Sequence, residues 1–115
     1  MSIERRYATR HRAYLPLRLR AAGATAAVET LTKDLSIGGL RCVSPEPLPV
    51  ASDARLELII AAAQEPLTLQ AKVRWFRTLP YADQCELGLE FQDLSPKSAR
   101  RLSTYLSRLI EQTPN

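Results

Sequence analysis

Six short segments of this 115-residue chain alternate apolar and polar residues with a period of two, and that pattern limits the fold more than any other feature. Residues 13–21 (AYLPLRLRA) set Leu15, Leu17 and Leu19 against Pro16, Arg18 and Arg20. After a turn at Ala22-Gly23 the alternation resumes over 28–32, and residues 39–43 form a short third segment. Residues 55–61 and 67–75 supply the fourth and fifth. In the sixth, 85–92, Cys85, Leu87, Leu89 and Phe91 share one face while Glu86, Gly88, Glu90 and Gln92 share the other. Successive strand side chains point to opposite faces, so each segment is expected to form a strand with one face in a core and one in water. Pro16 has no N–H for a ladder and fits a strand start or an edge. Trp75 shares the parity of Val73 and is expected inside, with Arg74 facing out.

The connections narrow this further. They are short, which implies antiparallel neighbours. Residues 45–53 (PEPLPVASD) carry three prolines and read as a stiff connector, and Pro80-Tyr81-Ala82-Asp83 as a turn. Ser95-Pro96 pairs an N-cap residue with proline at the first helical position. Ala99, Leu102, Leu106, Leu109 and Ile110 then recur at spacings of three and four, predicting an amphipathic helix to about Glu111. The composition, 45% hydrophobic, supports one core in a chain that buries roughly two-thirds of its unfolded surface. A single all-β-dominated domain follows, a small barrel or sandwich covered at one end by the helix.

The net charge of +4 is unevenly spread. Six arginines against Glu4 give the first 20 residues +5, residues 21–94 carry −4, and residues 95–115 return +3. Thirteen of the sixteen bases are Arg, which suits planar, bidentate recognition of an anion. The two cysteines, Cys42 and Cys85, have no metal-site spacing and are joined by one histidine, His11, so no zinc or other metal site is expected. Both fall at apolar strand positions and read as buried, reduced thiols of a cytoplasmic protein. The longest apolar run, 58–63, is far short of the ~20 residues that span a bilayer, and the N-terminal arginines precede no apolar signal segment, so no membrane insertion is expected.

Catalytic chemistry finds little to work with. His11 lies among arginines that disfavour its protonated form, and Glu86 and Glu90 share a strand face on which carboxylates are ordinarily just solvated. No phosphate loop or dinucleotide glycine motif is present, and no enzyme is expected.

Two short motifs stand out. Arg6 and Arg10 form an RxxxR pair with Arg5 directly before it, and Asp34-Leu35-Ser36-Ile37-Gly38-Gly39 forms a DxSxxG pattern about 25 residues on. In that order the two resemble the motifs of the PilZ family of bacterial cyclic di-GMP receptors. Val73-Arg74-Trp75 is similar to that family's hydrophobic strand ending in an aromatic, 86–91 (ELGLEF) to its GxxF strand, and the trailing helix falls where the family has one.

The resemblance implies a six-stranded antiparallel PilZ-type β-barrel over 13–94, a flexible Arg-rich arm over 1–12, and a packed C-terminal helix over 95–112. It implies a site of Arg5, Arg6, Arg10, Asp34, Ser36, Gly38 and Gly39, to which alternation adds Arg74 and Gly88 as outward neighbours. The chemistry is coherent. A guanidinium fork matches guanine O6 and N7, pairs with phosphate and stacks on a purine. Asp34 would accept from guanine N–H groups, Ser36 would bond a base edge or phosphate, and Gly39 and Gly88 would leave room for the ligand. Arg5 looks like the versions that bind an intercalated dimer of cyclic di-GMP, with no other cofactor. Signalling would pass to an unidentified effector protein. Two rivals are a degenerate PilZ adaptor without nucleotide, and a barrel binding single-stranded nucleic acid, for which outward aromatics are too few. The connector departs from the family in having Ala51-Ser52-Asp53 where a glycine is frequent.

Overall fold

The computed structural model describes residues 10–80 and 82–112, the last two by backbone only. The elements are β1 (His11–Arg12), β2 (Pro16–Ala21), β3 (Val28–Leu35), β4 (Gly39–Ser44), β5 (Asp53–Leu58), β6 (Leu67–Thr78), β7 (Cys85–Gln92) and α1 (Pro96–Gln112). Strands β3-β2-β5-β6-β7-β4 are hydrogen-bonded in that order, and β4 returns to β3, so six strands close into an antiparallel barrel. Closure removes the exposed edges that a sandwich would leave.

The added strand β1 lies along β3 beside β2, pairing His11 with Leu35, where β2 begins at Pro16 opposite Leu31. Pairing thus starts at His11. Between the two pieces Tyr14 bulges into solvent, and the buried Thr32 hydroxyl repairs the ladder by donating to Ala13 O and accepting from Leu15 N at 2.9 Å.

The inward faces are those the alternation predicts. Leu17, Leu19, Leu56, Leu58, Leu69, Val73, Leu87 and Leu89 are all buried. Cys42 and Cys85 join them as free, buried cysteines. Helix α1 starts at the expected N-cap, with Ser98 N donating to Ser95 Oγ at 3.1 Å, and it inserts Leu102 and Leu106 into the core. The end it covers also carries the 36–38 turn and the β5–β6 loop.

Two register shifts position the outer face. On β3 the partners run Thr32↔Cys42 and then Asp34↔Arg41, leaving Lys33 as an extra residue. On β6 they run Val73↔Leu89 and then Trp75↔Gly88, leaving Arg74 as the extra one. Each inserted residue reverses the parity of everything beyond it. Trp75 is therefore outside, 36% exposed, where uninterrupted alternation places it in the core. The connector keeps a glycine-like backbone without glycine: Ala51 sits at φ 74°, the left-handed region that side chains disfavour.

Candidate ligand-binding face

Because Leu35, Leu40, Leu87, Leu89 and Val73 turn inward, the residues between them form a row across the outer surface of β3, β4, β7 and β6. Asp34 is paired with Arg41, Arg41 with Gly88, and Gly88 with Trp75, while Arg12 of β1 flanks Asp34 on its other side. Arg10 reaches the same point: its Nη1 donates to Asp34 Oδ1 at 3.0 Å. Arg41 Nε donates to Asp34 Oδ2 at 2.5 Å. Both carboxylate oxygens are thus engaged, and Asp34 is only 4% exposed.

One strand-step away, Glu86 is fully buried although it points out of the barrel. Lys33 Nζ donates to it at 2.8 Å and Arg77 Nη2 at 2.6 Å, and Arg41 Nη1 lies at 3.5 Å. The solvated carboxylate expected at 86 is instead the hub of three cations. Burial alone would push its carboxyl up, but the hydrogen bond and charge of Lys33, with the charges of Arg41 and Arg77, outweigh burial and hold it below the ordinary carboxylate range. Behind it, burial and the Glu86 charge push the Cys42 thiol up to about 12, so it is not a nucleophile at neutral pH.

The DxSxxG segment organises itself before it can meet a ligand. Ser36 Oγ accepts from Gly38 N and Gly39 N, each at 3.2 Å, and Ser36 N donates to Gly39 O at 2.9 Å. Buried at 3% exposure, Ser36 holds the turn shut rather than offering a free hydroxyl. Gly38 O accepts from Phe91 N at 2.9 Å, tying the turn to β7. Gly39 serves strand packing: a Cβ there would stand 2.1 Å from Leu89 O, so the space expected for a ligand belongs to the β7 backbone.

Gly88 is likewise covered. Its missing Cβ leaves a seat for the Trp75 indole, whose Nε1 would be 2.2 Å from an added Cβ. The open patch expected at Gly88 is an aromatic surface instead. Arg74 faces out as expected, and both Nε and Nη2 of its guanidinium hydrogen-bond or ion-pair with Glu90. Arg5 and Arg6 lie outside the described residues. Sequence reasoning overlooked Arg41, the residue linking Asp34 to Glu86. A signal existed, since Leu40 and Cys42 read as inward and so set Arg41 outward beside the motif. No group of three His, Cys, Asp or Glu among the described residues could hold a metal ion.

The face thus offers guanidinium groups beside a flat indole and a preformed turn, a set matched to an anion that carries aromatic rings. A family model described as the PilZ domain matches residues 4–108. The chain belongs to the PilZ family. Among solved structures, the Bacillus subtilis inhibitor of motility MotI/DgrA matches with a TM-score of 0.76 and 21% identity, covering 96% of this PilZ chain and 54% of that one. The PilZ domain with c-di-GMP of YcgR from Escherichia coli gives 0.74 and 18%, over 94% and 93%. The K. pneumonia MrkH–c-di-GMP complex gives 0.76 and 20%, over 96% and 54%. This chain spans about half the length of the MotI/DgrA and MrkH chains and nearly all of the isolated YcgR domain. At such identities the likeness establishes the barrel. No curated relative matches the chain. No helix among the described residues is long and apolar enough to cross a membrane.

Proposed function

We propose that this PilZ domain is a receptor that binds cyclic di-GMP, without altering it, on the outer face of β3, β4, β7 and β6. The observation that carries this reading is the meeting of Arg10 and Asp34, the last residue of one motif and the first of the other, across 24 residues of sequence. Two proteins of the same fold solved with c-di-GMP, YcgR and MrkH, support it.

In this mechanism Arg10 exchanges Asp34 for a guanine edge or a phosphate, and Arg6 grips the ligand from the same arm. Asp34, released, accepts from guanine N–H donors while Arg41 keeps it aimed outward. Trp75 supplies a stacking surface at the far end of the row. Arg5 inserts against a second guanine, giving two ligands per chain. Ordering of the arm alters the surface offered to an effector protein.

Calorimetric titration with cyclic di-GMP, using GTP and cyclic GMP as controls, tests this. Saturable binding of two cyclic di-GMP per chain, with no binding of either control, is expected. Absence of binding, or equal binding of GTP, overturns the receptor reading; a stoichiometry of one overturns only the ligand dimer.

A further inference from the structure

Away from that face, α1 and the β5–β6 loop enclose a groove of about 620 Å³, within the size range of pockets that take ligands or side-chain anchors. Its floor is apolar, formed by the partly buried Ile60, Tyr105 and Leu109. Its rim is cationic: Lys97, Arg100, Arg101 and Arg108 line it against a single carboxylate, Glu65. Arg101 fixes the shape by donating from Nη2 to Gln64 Oε1 at 3.1 Å and to Glu65 O at 2.7 Å, so both walls are tied together. Those acceptors are neutral and leave its charge uncompensated.

The placement of Lys97 is costly to the helix. Lys97 lies in the first turn of α1 and Arg100 and Arg101 follow in the second, with no acidic residue in the first turn. The N-terminus of a helix carries partial positive charge, so cations there are disfavoured and anions favoured. Among the described residues Lys97, Arg100 and Arg108 have no carboxylate partner. The electropositive rim therefore persists until something negative covers it.

We infer that this groove is a docking site for an acidic protein segment with apolar anchors, the apolar side chains entering over Ile60, Tyr105 and Leu109 and the carboxylates meeting Lys97, Arg100 and Arg108. Charge complementarity selects an acidic occupant, and the concave apolar floor selects side chains over a flat lipid surface or a bare polyanion. The inference goes beyond the nucleotide reading and does not depend on it, because none of these residues belongs to the Arg10–Asp34 face.

The test is a titration of the ¹⁵N-labelled chain, followed by amide NMR, with a synthetic 14-residue amphipathic peptide bearing Leu at i, i+3, i+4 and i+7 and Glu elsewhere. A scrambled peptide of the same composition serves as control. Shifts confined to residues 60–65 and 97–109 are expected, with affinity falling at least tenfold from low to high salt. The double variant Lys97→Glu/Arg100→Glu is expected to lose at least tenfold in affinity while its melting temperature rises, since glutamates suit a helix N-terminus. Absence of shifts, equal binding of the scrambled peptide, or unchanged binding by the folded double variant overturns the proposal. So does a groove that ignores the peptide but binds phosphatidylglycerol vesicles or a second copy of the chain.

Discussion

On β2, β5 and the first half of β3 the outward side chains stand in water, whereas where the end of β3 meets β4 and β7 the outward-facing Asp34, Glu86 and Gly88 are buried. Arg18 illustrates the first case. It lies 3.5 Å from Glu29 and 3.7 Å from Glu57, all three well exposed, an arrangement worth about 0–1 kcal/mol. Glu86 illustrates the second, fully buried among Lys33, Arg41 and Arg77. Period-two alternation reports which side of a sheet a residue faces. It does not report whether that side is wet, and the dry outer face is the one that holds both motifs' described residues.

Glycine substitutions separate the two kinds of close packing on the dry face. In Gly39→Ala the new methyl meets the β7 backbone, which cannot move without breaking the barrel, so a loss of about 3 kcal/mol is expected in chemical denaturation. In Gly88→Ala it meets only the Trp75 side chain, which can swing into solvent. That variant is expected to lose about 1 kcal/mol and to shift Trp fluorescence toward the solvent-exposed wavelength. Equal costs would mean that the indole is as fixed as the backbone.

Charge removal sharpens the comparison at a smaller scale. Glu86→Ala strands three cations around an empty site; because they retain some solvent, the expected cost is about 2 kcal/mol, while Glu57→Ala on the wet face should cost under about 0.5 kcal/mol. Equal values would refute the distinction between the faces. The same contrast has a pH signature. A Glu86 carboxyl held below its ordinary value of 4.5 contributes stability that is present above that pH and lost as pH falls through the folded-state value. Stability of the native chain is therefore expected to decline below about pH 4.5 more steeply than that of Glu86→Gln, and parallel curves would contradict the assignment.

The barrel was legible because its inward faces obey the alternation: Leu17 with Leu19, Leu56 with Leu58, and Leu87 with Leu89 each face the core. Helix α1 was legible from Ser95-Pro96, since capping is local chemistry. The break at Tyr14 and the bulges at Lys33 and Arg74 were not, because an inserted residue leaves no mark in composition and appears only once a partner strand sets the register. Those bulges decide the site's details. The one on β6 turns Trp75 outward onto Gly88, and the one on β3 sets Asp34 opposite Arg41 while freeing Lys33 for Glu86. The motif residues were visible, but the structural work of Ser36 in closing the turn and of Gly39 in packing on β7 was not.

The two faces also give the most direct test of the proposed receptor. Arg10 and Arg18 are both exposed arginines in the N-terminal fifth of the chain, each ion-paired, one on the motif face and one on the wet face. In calorimetric titrations with cyclic di-GMP, Arg10→Ala should lose a bidentate contact worth about 1–3 kcal/mol, roughly 5- to 150-fold in affinity, with little change in melting temperature. Arg18→Ala should bind as the native chain does. Unchanged affinity in Arg10→Ala, or an equal loss in both variants, would contradict the claim that the Arg10–Asp34 junction marks the ligand site.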